Sequence, residues 1–320
     1  MSEILTIQMM DAFAVLFWFA ISFVAISAVL TALHYPRHGD EPLTGSTRSS
    51  RAFYEEAYAS PAPATPTATD DDEYGHSARE HASRAGIPEL VRDFIRTYHL
   101  DATRALEVGC GSGLLQHAAA NYVGMDLSFT AARFFSRPFV QGSATDMPFR
   151  DNSFGAAWSV WVLEHVPNPE QALQEIRRVV KNEAYLLLHP AWNVDSWASQ
   201  GYEVRPYADL GLWGKLIKAS IPIRSARWYA FFYARQVRIL RTLFTILSGK
   251  PSQLRYSRLN PNYTKFWVTD SDAAISLDFF EVYLWFRSRG DECVNCPSLK
   301  HMLFGKPGAR PETLIIRVRK

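Results

Sequence analysis

Three cysteines in 320 residues cannot build a disulfide framework, so a reducing compartment is the expectation. Nor is there a surplus of charge. The 34 Lys and Arg stand against 32 Asp and Glu, a formal net charge of +2, so the chain is not basic throughout. No internal repeat is visible. Aromatic surface, by contrast, is abundant: 9 Trp, 14 Tyr and 20 Phe make 13% of the chain. That is more ring surface than a small soluble enzyme needs, and it points to a membrane or lipid contact.

The balanced charge hides an asymmetry. Between Val204 and Asn260 stand 11 Lys/Arg and one acid, Asp209, giving +10, so the remainder carries −8 to reach the total of +2. A basic segment on an acidic body points to an anionic partner surface. The second uneven feature is Ala12–Leu33, 22 residues without a charge. As a helix it would be roughly 33 Å long, matching the bilayer hydrocarbon core. A secretory signal would need a basic n-region and a small-residue cleavage site, and neither is present. Residues 1–36 are therefore expected as a transmembrane anchor. Glu3 and Asp11 precede the run, whereas Arg37, Arg48 and Arg51 follow it, which predicts a single-pass membrane protein with its catalytic domain on the cytoplasmic side. Residues 37–74, polar with a Pro/Ala/Thr core, read as a flexible juxtamembrane linker.

Residues 75–320 are expected as the main domain, with a basic aromatic insertion at 197–260. Two short helices are predicted at His76–Arg84 and Pro88–His99. Apolar runs at Arg104–Val108, Tyr122–Met125, Phe139–Gln141, Gly155–Trp161 and Ala184–Leu188 read as strands. Helical patterns at Leu114–Ala120, Phe129–Ser136 and Pro169–Val180 lie between them. Such alternation predicts a doubly wound α/β sheet, and Lys265–Val268 and Thr313–Val318 bring the expected strands to seven.

The first strand runs directly into Gly109-Cys110-Gly111-Ser112-Gly113. Glycines permit a tight turn and let a ligand approach the backbone. Asp126, at the end of the second strand, is placed to accept hydrogen bonds from two ribose hydroxyls. The dinucleotide fingerprint Gly-x-Gly-x-x-Gly needs glycine at position 114, where this chain has Leu, which disfavours a nicotinamide oxidoreductase.

The segment ALEVGCGSG resembles motif I of the class I S-adenosylmethionine-dependent methyltransferases, and YVGMDLS resembles the acidic motif on their second strand. The block QGSATDMPFRDNSFGAAWSVWVLEHVPNPEQALQEIRRVV is similar to the centre of the ubiquinone/menaquinone-type subgroup. The resemblance covers about Arg104 to Pro190. It implies a Rossmann-like seven-stranded sheet and S-adenosyl-L-methionine as cofactor. By that resemblance Glu107, Gly109, Gly111 and Gly113 line the methionine end of the cofactor and Asp126 holds the ribose. Leu127, Ser143 and Ala144 lie by the adenine, and Trp161 lines the floor. The chain departs from the family at Ser143, where many relatives have Asp, and at Gly155, where Asp is common. It departs again at Lys181–Ala184, where Asn182 is expected to take the left-handed conformation.

Methyl transfer from a sulfonium needs a base only when the acceptor must lose a proton. His165, after the fourth strand, and His189, at the end of the fifth, are the candidate catalytic residues. In the segment RWYAFFYARQVRILRTLFTIL, Arg227, Arg235, Arg238 and Arg241 fall within an arc of roughly 120° on a helix, a cationic stripe suited to an anionic membrane surface. Cys293-Val294-Asn295-Cys296 with His301 is a single Cys-x-x-Cys without a partner pair; free thiols are expected, and no metal. The reading that results is a methyltransferase acting on a membrane-associated or lipid-like small molecule, with no nucleic-acid partner. The alternative is a catalytically silent methyltransferase-like membrane scaffold.

Overall fold

The computed structural model describes residues 14–26, 28–29, 39–40, 46–59, 74–225, 227–264, 267–268, 270–304 and 312–320. Five strands, β1 (Arg104–Val108), β2 (Asn121–Asp126), β3 (Phe139–Gln141), β4 (Phe154–Val160) and β5 (Val180–His189), pair in parallel. Two further strands pair apart as a small antiparallel sheet, β6 (Tyr256–Arg258) and β7 (Ile275–Leu277). The main sheet is completed by β8 (Glu292–Cys293) and β9 (Leu314–Arg317), the latter antiparallel to both β5 and β8. Its order is β3-β2-β1-β4-β5-β9-β8, a mixed sheet of seven strands, the expected number, although Glu292–Cys293 is not among the expected strands. The order reverses at β1, so a crevice opens beyond the carboxyl ends of β1 and β4.

The strands read as apolar runs because both faces of the sheet are covered. On one face Ala105, Tyr122, Trp158 and Leu187 meet Val91, Phe94 and Ile95 of a helix at Ile87–Thr97. On the other, Leu106, Val108, Leu186 and Leu188 meet Leu173 and Ile176 of Pro169–Val179 and the buried helix Phe279–Arg287. In chain order the helices are α1 (Ser46–Ala57), α2 (Tyr74–Arg84), α3 (Ile87–Thr97), α4 (Pro169–Val179), α5 (Leu212–Arg224), α6 (Arg227–Ser248), α7 (Phe279–Arg287) and α8 (Leu299–Phe304). The start of α4 lacks a cap from its own neighbour Asn168. The carboxylate of Asp40 serves instead, accepting from the Gln171 amide at 2.7 Å and the Glu170 amide at 3.3 Å.

Several expectations change. Residues 14–26 and 28–29 of the anticipated span are helical with exposed apolar side chains, Phe17 and Trp18 among them. No helix among the described residues is long and apolar enough to cross a membrane, and the rest of the run lies outside them. Within the stretch read as a linker, Ser46–Ala57 is helical. Leu114–Ala120 is a succession of turns: seven residues are too few for a stable isolated helix, and Gln116 instead bonds the Phe134 carbonyl and the Ser136 amide. The helix expected at Phe129–Ser136 is a 3-10 segment, Thr130–Phe134. Near Lys265–Val268, the Ser271 hydroxyl donates to the Val268 carbonyl and accepts from its amide; this turn replaces a strand at 267–268. Glu183, not Asn182, takes the positive φ, +63°, and its amide donates to the Val318 carbonyl. Cys293 and Cys296 are disulfide-bonded rather than free thiols.

The largest change is the orientation of α6. Arg238 is buried and pairs with Asp278 at 2.5 Å, while Arg241 forms a two-pronged pair with Glu281, at 3.1 and 2.5 Å. Both acids belong to the start of α7, where Asp278 also caps the helix through the Phe280 amide. These two arginines thus face inward, because their counter-charges lie 40 residues further along the chain. The outward face of α6 carries Leu240, Leu243, Phe244, Ile246 and Leu247, and Leu212, Trp213 and Leu216 of α5 are exposed as well. The side chain of Arg227 lies outside the described residues.

Candidate functional site

The loop after β1 turns through three left-handed glycines, with φ of +75° at Gly109, +47° at Gly111 and +75° at Gly113. A Cβ at Gly109 would lie 2.3 Å from the Val162 side chain, so glycine is required by space as well as by conformation. The loop is tied to β2 by Asp126, whose Oδ2 accepts from the Gly111 amide at 2.8 Å and whose Oδ1 accepts from the Ser128 amide at 2.9 Å. Each oxygen retains a lone pair for a hydroxyl. Burial pushes the Asp126 carboxyl up to about 6, against the pull of those amide hydrogen bonds. Glu107 is buried on β1 and accepts from the Tyr122 hydroxyl; burial pushes its carboxyl up to about 8. A cation brought beside Glu107 would favour its ionised form, as an ammonium group would.

Around this loop the structure gathers most of the residues expected there. Leu127 follows Asp126, and its carbonyl accepts from Gln141. Ser143 shares a 2.8 Å hydroxyl–hydroxyl hydrogen bond with Thr145 and stands just beyond β3, with Ala144 beside it. Trp161 follows β4 in a left-handed conformation, its amide donating to the His189 carbonyl. His189 Nδ1 lies 2.6 Å from the Thr313 hydroxyl, and burial holds its pKa below the usual imidazole value. His165 sits apart from it, with Nδ1 3.4 Å from Asp272 Oδ2 and Nε2 3.8 Å from Glu164 Oε1. Burial disfavours the His165 cation, but Asp272, Glu164 and Asp270 outweigh it and raise the pKa. Glu164 in turn is pushed up to about 7, chiefly by burial.

The sequence reading missed α1. Glu55 accepts from the Ser128 and Thr130 hydroxyls and from the Phe129 and Thr130 amides, so it caps the segment that follows Asp126. Tyr54 donates to Asp272 at 3.0 Å. Tyr58 reaches the glycine loop, where a Cβ at Gly111 would lie 2.9 Å from its hydroxyl. The available signal was the i, i+4 spacing of Tyr54 and Tyr58 in FYEEAY.

Residues 106–188 match a family model described as a methyltransferase domain. Over these residues the chain is similar to the class I S-adenosylmethionine-dependent methyltransferases. Its curated relatives include a fatty-acid O-methyltransferase of Mycolicibacterium smegmatis, 32% identical over 166 residues that cover 42% of this chain and 60% of that protein. A phthiotriol/phenolphthiotriol dimycocerosates methyltransferase of Mycobacterium ulcerans is 33% identical over 34% of this chain and 49% of its own length. A sterol 24-C-methyltransferase of Gibberella zeae is 32% identical over 36% and 37% respectively. The chain therefore spans 60% or less of these relatives' lengths. The methyl donor of such a domain is S-adenosylmethionine. The loop fits it: its glycines add no side chain of their own beside the backbone amides, and two buried carboxylates, Glu107 and Asp126, flank it.

Proposed function

We propose that this protein methylates a lipid-like small molecule at a membrane surface. The observation that carries the reading is the outward apolar face of α6, from Leu240 to Leu247, beside the exposed Leu212, Trp213 and Leu216 of α5. Contiguous exposed apolar side chains of this kind suit a lipid contact. The apolar run Ala12–Leu33 would add an anchor, with the catalytic domain on the cytoplasmic side. The printed names of the relatives, which concern fatty acids, phthiotriol lipids and sterols, agree with an apolar acceptor.

Bound S-adenosylmethionine supplies an already activated methyl group. Glu107 and Gly109, Gly111 and Gly113 would hold its methionine end and Asp126 its ribose. Leu127, Ser143 and Ala144 would border the adenine, and Trp161 the floor. What remains for the protein is positioning and, for an O–H or acidic C–H acceptor, proton removal. His189 is the base in this reading. In the tautomer whose Nδ1–H donates to Thr313, its Nε2 keeps the lone pair, and burial keeps the ring neutral.

The decisive measurement is methyl transfer from labelled cofactor into lipid extracts presented in vesicles, followed by mass spectrometry. A labelled lipid product is expected. Replacing Phe244 and Leu247 together by Glu should abolish vesicle binding and lower transfer while leaving cofactor affinity intact. Vesicle binding of the unaltered chain should persist at high salt, since Arg238 and Arg241 are turned inward. No labelled lipid, or transfer indifferent to the double substitution, would reject the reading. His189→Ala should reduce turnover while keeping cofactor affinity; unchanged turnover removes it as the base.

A further inference from the structure

A second cluster of ionisable groups lies between the end of β4 and the turn before β7. Glu164 is fully buried, and among the described residues neither of its carboxylate oxygens has a side-chain hydrogen-bond partner. His165 Nε2 stands 3.8 Å from Glu164 Oε1. One ligand atom each from Glu164, His165 and Asp270 lies within 4.8 Å of the others. Among the described residues no Lys or Arg pairs with Glu164 or Asp270. A buried carboxylate without a hydrogen-bond donor is costly, and one imidazole cannot satisfy it together with Asp270.

We propose that Glu164, His165 and Asp270 bind a divalent metal cation that accepts mixed nitrogen and oxygen donors, Mn2+ or Zn2+. Two donor atoms 3.8 Å apart can each lie about 2.1 Å from a shared ion. One imidazole and two carboxylates suit such ions better than Mg2+ or Ca2+, which favour all-oxygen sites, and the lack of a thiolate disfavours Cu(I). The surroundings are those of a metal-binding histidine. Asp272 lies against His165 Nδ1, which orients Nε2 toward Glu164, and Asp272 is itself held by the Tyr54 hydroxyl. Three protein donors leave coordination positions open.

The test is a titration of the full chain with Mn2+, followed by the loss of the free-ion paramagnetic resonance signal, and with Zn2+ against a chromogenic chelator. One ion per chain is expected. Glu164→Gln and Asp270→Asn should each weaken binding at least about tenfold, and Asp272→Asn, which acts through the histidine, about 10–100-fold. Replacing Cys293 and Cys296 by Ser should leave Mn2+ binding unchanged, which separates this site from the Cys-x-x-Cys. Unchanged S-adenosylmethionine affinity by calorimetry identifies folded variants; should Glu164→Gln fail to fold, Asp270→Asn carries the test. Absence of stoichiometric binding by either ion, or binding that survives both ligand substitutions in folded protein, overturns the proposal.

Discussion

The glycine loop and the helical segment α5–α6 obey opposite logics. In the loop, function follows from backbone shape. Three positive-φ glycines and an acid 13 residues on make their contacts within a short stretch of sequence. In α6, the meaning of Arg238 and Arg241 depends on acids 40 residues away. A periodic pattern shows that a helix has two faces, but it does not say which face is covered. Burial of Arg238 and Arg241 is settled by their partners, Asp278 and Glu281, and the apolar side chains from Leu240 to Leu247 are left outside.

Removing Arg241 breaks this comparison most severely. Arg241→Ala removes the cation paired with the fully buried Glu281 carboxylate, and a loss of about 3–5 kcal/mol in unfolding free energy is expected. Chemical denaturation measures it. Replacing both partners by apolar residues, Arg241→Met with Glu281→Leu, should recover most of that loss. A stripe serving anionic headgroups would give the reverse, with little change in stability and weaker vesicle binding.

The loop offers the second test. Gly109→Ala forces a Cβ against Val162 at positive φ, which should cost on the order of 1–3 kcal/mol, seen as a lower melting temperature. Cofactor affinity should fall with it, whereas vesicle binding should not change. Loss of both together would mean that the two regions are coupled.

The smallest effect concerns α1. Burial alone would raise the pKa of Glu55, but hydrogen bonds from Thr130, Phe129 and Ser128 outweigh it and hold the carboxyl at about 2, below its ordinary value near 4.5. A carboxyl depressed by folding contributes stability above its unfolded value, and that contribution fades as pH falls from about 4.5 toward 2. Hydrogen exchange of α1 should therefore accelerate over that window, ahead of the core strands, and Glu55→Gln should remove the step.

The sequence made the sheet legible because parallel strands covered on both faces are continuous apolar runs, as at Leu106–Val108 and Leu186–Leu188. It made the loop legible because Leu114 separates it from the dinucleotide spacing. It did not reveal α1, whose polar surface hides a function of capping distant residues. Nor did it reveal β6, β7 and β8, which are two or three residues long and below any periodicity. The Glu164–His165–Asp270 cluster was half visible: Glu164 and His165 are neighbours in sequence, but Asp270 arrives by tertiary folding.

Asp40 caps α4 and also accepts from the Tyr256 hydroxyl at 3.0 Å, which pins the chain at that point to the catalytic body. Only six residues, hence seven Cα–Cα steps, separate it from Leu33, the last of the uncharged run. Fully extended, they reach no more than about 25 Å. Were that run held in a membrane, as proposed, a body on so short a leash could not diffuse away from it, and a substrate dissolved there would be met by a two-dimensional search.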